Sequence, residues 1–258
     1  SGSGSTSLVF QYTIQAGESD SDGINIGANA LALNSSTISD PAGNIAILTH
    51  SAISDNNSYK VDTTAPTVNS FTISDSLLTV GETATVDLVF SEAVFGFASA
   101  ADITDPSGTL AAMTSSDNIT WTGTFTPTAN TEEASNTLSL ATSWTDLAGN
   151  AGPSETTPNY EVETKAPTGS FTFTDYHFKL GDNATVTLVF SEVVVGFSSD
   201  DDITVPNLDN GTTSGTLAAM ISNDNKTWYG TFTPTFPNTQ DWTNTLSLAT
   251  SYTDTVGN

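Results

Sequence analysis

The sequence contains an internal duplication, which constrains the fold more than any other feature. Landmarks of the first copy return in the same order about 100 residues later. They are VDTTAP at 61–66 and VETKAP at 162–167, LVFSEAVFGF at 88–97 and LVFSEVVVGF at 188–197, GTLAAM at 108–113 and 215–220, and TDLAGN at 145–150 and TDTVGN at 253–258. The chain must therefore be built from a module that folds more than once.

The repeat boundaries divide the chain into three segments. The stretch TISDPAGN at 37–44 aligns with SWTDLAGN at 143–150, so the first part of the chain is the C-terminal half of another copy. We expect a partial domain at 1–63, a complete domain at 64–164, and a domain at 165–258 that lacks its last strand. Because both ends of the sequence fall within a copy of the repeat, we expect the chain to be part of a longer array of such domains. The alternative is strand exchange between neighbouring chains.

Apolar and polar residues alternate within each copy, which indicates β-strands. In TVDLVF, Val86, Leu88 and Phe90 share one face, and TWTGTF at 120–125 alternates in the same way. Short strands separated by Gly, Pro, Asn and Asp are typical of antiparallel sandwiches. We therefore predict an all-β fold, namely tandem immunoglobulin-like sandwiches with Greek-key connections arranged as an elongated rod.

The second copy differs from the first at two loops. It carries an insertion around Asn210-Gly211, a dipeptide that favours a tight hairpin turn, so we predict a lengthened hairpin there. Trp242 stands in a loop of the second copy and is a candidate for glycan or protein contact, although a local packing role is the favoured interpretation. Trp121 and Trp228 occupy equivalent positions on an apolar face, which indicates core residues.

The charge balance excludes several classes of partner. The chain has four basic and 29 acidic residues, for a net charge of −25. Such a surface repels nucleic acid and anionic lipid headgroups. The sequence also shows no apolar stretch of the roughly 18 residues that a membrane span needs. With no cysteine, disulfides and thiolate metal sites are excluded.

The order of the landmarks resembles a known family. VDTTAP, FSEAVFGF, ADIT, TFTPT and TDLAGN together are similar to the bacterial Ig-like repeats of large surface adhesins, often exported by type I secretion. The resemblance implies an extracellular stalk module that is not an enzyme and is commonly rigidified by calcium. It implies no particular ligand. The histidines, His50 and His177, lie in unrelated positions without a serine nucleophile motif, which gives a catalytic triad little support.

Carboxylates are expected to meet where consecutive domains join. Loops between antiparallel strands alternate between the two ends of a sandwich, so several acidic loops should share the end that the preceding linker reaches. We call the place where the N-terminal segment joins the middle domain the first junction. The ligands predicted there are Asp62, Glu92, Asp102, Asp146 and the carbonyl of Asn150. A set made only of oxygen ligands matches calcium, which takes six to eight oxygens.

The second junction is the place where the middle domain joins the C-terminal domain, and the set of ligands predicted there repeats that of the first junction with two changes. This set comprises Glu163, Glu192, Asp202, Asp254 and Asn258. Glu163 replaces the linker aspartate, and Lys165 replaces the second threonine of VDTTAP. A cation so close to the predicted site puts calcium binding there in question. The alternative at both junctions is a set of solvated loop carboxylates.

Four further acidic residues are secondary candidates. Glu18, Asp20 and Asp22 resemble part of a calcium loop but lack the complete pattern, and a turn between strands is the alternative. Asp40 corresponds to Asp146, yet its junction partners belong to the missing half of that copy, so we expect an incomplete site.

The resemblance, together with the predicted carboxylate sets, therefore implies a structural extender in a bacterial surface protein, with calcium as its cofactor and neighbouring repeats of the same chain as its partners. The alternative is a subunit of an extracellular filament or surface layer that is completed by homotypic strand exchange. A third possibility is a carbohydrate-binding module, which requires an exposed aromatic groove.

Overall fold

In the computed structural model, the described residues are 4–207, 211–235 and 244–258. The N-terminal segment, residues 4–63, contains four short strands that form two antiparallel pairs, β1 with β4 and β2 with β3. Its large apolar side chains are mostly exposed; the exposed fraction is 72% for Phe10 and 87% for Ile47. The strands are β1 (Ser19–Asp20), β2 (Ile24–Ile26), β3 (Ile53–Asn56) and β4 (Val61–Asp62).

The middle repeat, residues 64–164, is a β-sandwich. Its strands and one short helix are β5 (Val68–Ile73), β6 (Leu77–Leu78), β7 (Ala84–Phe90), β8 (Val94–Phe95), α1 (Ser99–Asp102), β9 (Ile103–Thr104), β10 (Gly108–Leu110), β11 (Thr120–Pro127), β12 (Glu132–Asn136), β13 (Ser139–Leu140), β14 (Thr145–Asp146), β15 (Glu155–Thr156) and β16 (Tyr160–Glu163). One antiparallel sheet has the order β10-β11-β7-β5. Opposite it lie the smaller sheets β12-β16-β6 and β15-β13-β9, in which only β16 and β6 are parallel.

The core of the middle repeat lies between these sheets. The alternation in β7 buries Val86, Leu88 and Phe90 completely, as the sequence pattern predicts. Trp144 is also fully buried, and its indole N–H donates to the carbonyl of Ala141. Burial of aromatic side chains supplies much of the hydrophobic stabilisation of such a domain.

The C-terminal repeat, residues 165–258, follows the same plan. Its elements are β17 (Gly169–Phe173), β18 (Ala184–Phe190), α2 (Ser199–Asp202), β19 (Ile203–Thr204), β20 (Gly215–Leu217), β21 (Thr227–Pro234) and β22 (Ser247–Leu248). The main sheet has the order β17-β18-β21-β20. Its register repeats that of the middle repeat, since Leu188 faces Trp228 as Leu88 faces Trp121.

The two loops singled out in the second copy are only partly described. A bridge between Asn207 and Thr213 brackets the insertion, while Asn210 itself lies outside the described residues. Trp242 also lies outside them. Trp121 and Trp228 are partly buried and pack against the two cores, as predicted. The prediction of an all-β fold of tandem Ig-like sandwiches is confirmed.

Gly152 provides a test of the packing around Trp144. A Cβ atom at Gly152 would lie 2.0 Å from the Trp144 ring. We expect Gly152→Ala to lower the free energy of unfolding by about 1–3 kcal/mol, because the fully buried ring has no space to move into. Urea unfolding followed by tryptophan fluorescence measures this. Gly27→Ala is the control, since no atom lies within 4 Å of its Cβ position; equal stability of both variants would contradict this packing.

Candidate metal centre at the first junction

The loop from Asp146 to Asn150 is organised around the Asp146 carboxylate. The backbone N–H of Asn150 donates to Asp146 Oδ1 at 2.9 Å, and the Asn150 side-chain nitrogen donates to Oδ2 at 2.7 Å. Burial alone would raise the pKa of Asp146, but these bonds, with the N–H groups of Gly149 and Ala148, outweigh it and lower the pKa. Asp146 is therefore held as a buried anion.

The side chain of Asn150 also fastens this loop to the linker. Its nitrogen lies 3.2 Å from the carbonyl oxygens of both Asp62 and Thr64. Strand β4 brings Asp62 to this place from the N-terminal segment, since Asp62 pairs with Ser19 of β1. One carboxamide thus connects the loop that follows β14 in the middle repeat to the chain that enters this repeat.

Three of the predicted ligands come together here. Carboxylate oxygens of Asp62, Glu92 and Asp146 all lie within 4.8 Å of one another. Glu92 reaches this place because it follows β7, whose end is held by hydrogen bonds between Ser91 and Thr67. We call these three residues the carboxylate cluster. Burial raises the pKa of Glu92, and the charges of Asp146 and Asp62 raise it further.

Asp102 lies outside the carboxylate cluster. Its carboxylate accepts hydrogen bonds from the N–H of Ala98, at 2.7 Å, and from the hydroxyl of Ser143. The side chain is buried and closes the turn that contains α1. Asp202 makes the equivalent contacts with Ser198 and Ser251. The structure therefore does not bring these two predicted ligands into the candidate centre.

The second junction has the same loop but a different charge arrangement. The side-chain nitrogen of Asn258 donates to Asp254 Oδ2 and to the carbonyl of Glu163. Burial acts to raise the pKa of Asp254, yet hydrogen bonds from the backbone N–H groups of Asn258 and Val256 and from the Asn258 side chain lower it overall. Within the described ranges, Glu163, Glu192 and Asp254 do not form a three-carboxylate group as close as the one at the first junction.

The pKa of Glu192 reports the charges at the second junction. It is raised by burial, then by the charges of Asp254, Glu163 and Glu132, while Lys165 acts in the opposite direction. Sequence reasoning did not single out Glu132. Only the cross-strand register identifies Glu132 as part of the second junction, because Glu132 of β12 pairs directly with Glu163 of β16.

The secondary candidates are engaged in local turns. Glu18 accepts from the hydroxyl of Tyr12 and the N–H of Gln15, and Asp20 accepts from the N–H of Gly23 at 2.7 Å. Asp40 accepts hydrogen bonds from both nitrogens of Asn44, so the loop at 40–44 has the same hydrogen bonds as the loop of Asp146, but it belongs to neither junction. In the part of the chain that the structure describes, neither these residues nor Asp22 join a three-carboxylate group.

The raised pKa of Glu92 predicts a pH-dependent stability without calcium. A carboxyl group whose folded-state pKa lies above the ordinary 4.5 binds its proton more tightly when folded. The stability that this tighter proton binding gives the folded state is fully present below pH 4.5, and it is lost as the pH rises through the folded-state pKa of Glu92. In chelator, Glu92→Gln should therefore melt a few degrees higher than the parent at pH 7, and this difference should close near pH 4.

Thermal melts across this pH range measure the effect. Glu155→Gln is the matched control, because Glu155 is an exposed carboxylate outside the cluster. A Glu92→Gln variant that melts like the parent at pH 7, or with a difference that grows on acidification, would show that the three charges do not interact.

Comparisons with known proteins agree with the tandem architecture. A family model described as "Bacterial Ig-like domain" matches residues 62–162 and again 163–258. A search of curated proteins gives no significant match. Among the described residues, the structure has no helix with the length and apolar character needed to cross a membrane. Because the two matches cover most of the chain, the protein belongs to the bacterial Ig-like domain family.

Proposed function

We propose that this chain is a structural extender of a bacterial extracellular surface protein, stiffened by calcium at the first junction. Its task is geometric, namely to hold another domain, such as an adhesive one, away from the cell. Bacterial Ig-like domains are typically structural and are often found in extracellular surface proteins. The single observation that carries the calcium proposal is the carboxylate cluster at the entry of the middle repeat.

The exposed surface supports an elongated arrangement. The chain exposes 15980 Å², whereas a compact monomer of 26.8 kDa exposes about 11,000 Å²; part of this excess comes from the N-terminal segment, whose large apolar side chains are mostly exposed. Each repeat also has its own hydrophobic core. A row of separate domains is the arrangement that an extender requires, and its mechanical behaviour then depends on the junctions.

The donor set of the first junction fits calcium. Asp62, Glu92 and Asp146 offer only oxygen atoms, which hard cations such as Ca²⁺ prefer, and backbone carbonyls and water complete such sites in proteins. Zinc and copper sites generally use histidine or cysteine. Calcium bound here would offset the repulsion among the three carboxylates.

The origin of the three carboxylates explains how an ion would stiffen the chain. Asp62 belongs to the linker, whereas Glu92 and Asp146 belong to the middle repeat. An ion shared among them links the two parts, so bending at the linker would require ligands to separate. Without the ion, the same carboxylates repel one another and favour separation of the linker from the loop.

Calcium should therefore raise the melting temperature and extend the solution scattering profile, and excess chelator should reverse both effects. Calcium at 100 times its dissociation constant stabilises a folded protein by about 2.7 kcal/mol, which shifts the melting temperature by several degrees. The double variant Asp62→Asn, Glu92→Gln should lose this response, and the double variant Glu155→Gln, Glu161→Gln, which removes two exposed carboxylates, should keep it.

Small-angle scattering at two protein concentrations separates the candidate functions. A profile that depends on calcium and not on concentration supports the extender. Mass that grows with concentration supports the filament subunit, whose assembly would cover the exposed apolar side chains of the N-terminal segment. Identical melts and profiles with calcium and with chelator would contradict calcium stiffening. Binding on a glycan array would instead favour the carbohydrate-binding module.

A further inference from the structure

The two junctions share one backbone geometry, which allows a direct comparison of their side chains. The N–H of Thr64 donates to Asp62 Oδ1 at 2.9 Å, and the N–H of Lys165 donates to Glu163 Oε1 at 3.1 Å. At both places an asparagine side chain, Asn150 or Asn258, holds the linker carbonyl. Positions 64 and 165 are therefore equivalent, with an uncharged side chain at the first junction and a cation at the second.

Lys165 lies among carboxylates. Its Nζ is 3.1 Å from Oε2 of Glu132, an ion pair between the linker and strand β12. Glu132 pairs with Glu163 in the sheet, and the positive charge of Lys165 also acts on Glu192. At the first junction, the residue that faces Asp62 across the strand pair is the uncharged Ser19. The second junction therefore has an acidic residue and a lysine at positions where the first junction has the uncharged Ser19 and Thr64.

A second contact holds the C-terminal repeat against the middle repeat. The side-chain oxygen of Asn258 accepts a hydrogen bond from the N–H of Val80, at 3.1 Å. Val80 lies in the turn between β6 and β7 of the middle repeat. The same asparagine therefore contacts the linker, its own loop and the preceding domain.

We propose that Lys165 is the built-in counter-ion of the second junction and replaces there the cation that the first junction requires. The second junction then stays aligned in the absence of calcium, whereas the first loosens. The chain would thus combine one junction that responds to calcium with one that does not. The contrast with the first junction rests on the proposed function, but the role of Lys165 can be tested without calcium.

The test is Lys165→Thr, which restores the residue of the first junction. In excess chelator, this variant should melt up to a few degrees below the parent, because Glu132, Glu163 and Glu192 lose their counter-charge; the shift is small because the ion pair is exposed, with 42% of the Lys165 and 59% of the Glu132 side chain accessible. In calcium the loss should be largely recovered, and calorimetric titration should show about two bound calcium ions per chain where the parent binds about one. Lys165→Arg should behave like the parent, because it retains the charge.

Lys179→Thr is the matched control. It is the same change at an exposed lysine of the same repeat, and it also restores the residue of the first copy, Thr79. It should alter neither the melt in chelator nor the calcium count. If Lys165→Thr behaves like Lys179→Thr in chelator, the proposal is overturned. A parent that binds no calcium, together with a Lys165→Thr variant that melts lower in chelator, would contradict the proposed function and support this inference.

Discussion

Repulsion among three carboxylates is the interaction on which the behaviour of the first junction depends. Asp62, Glu92 and Asp146 lie within 4.8 Å of one another. Two unit charges about 4 Å apart repel by about 1 kcal/mol in water and by about 4 kcal/mol near a protein surface. This repulsion is relieved by a proton on Glu92 or by a cation between the groups. Under the proposed function, the cation is calcium, and it would connect the linker to the middle repeat.

The loop of Asp146 and Asn150 makes this arrangement possible, and it occurs three times in the part of the chain that the structure describes. Asp40 with Asn44 and Asp254 with Asn258 make the same paired hydrogen bonds. The loop is therefore a property of the repeat, formed by local contacts alone. The side chains that arrive from the linker and from neighbouring strands decide what each loop does.

The sequence predicted the sandwich well, because strand alternation and the repeated landmarks are local signals. It also predicted that Asp62, Glu92 and Asp146 would meet, since strand direction decides at which end each loop lies. Strand direction does not decide where a carboxylate points, so Asp102 was grouped with them although it bonds to Ala98 and Ser143. Glu132 was missed because its role depends on cross-strand register with Glu163. That calcium binds at the cluster stays a proposal.

Calcium stiffening of the first junction can be measured as the distance distribution between two spin labels placed on either side of it, with calcium and with chelator. The chain has no cysteine, so Asn57→Cys and Thr124→Cys, at exposed positions on either side, can be labelled specifically. Electron spin resonance should give a narrow distribution in calcium and a broad one in chelator. Distributions of equal width in both conditions would contradict the account.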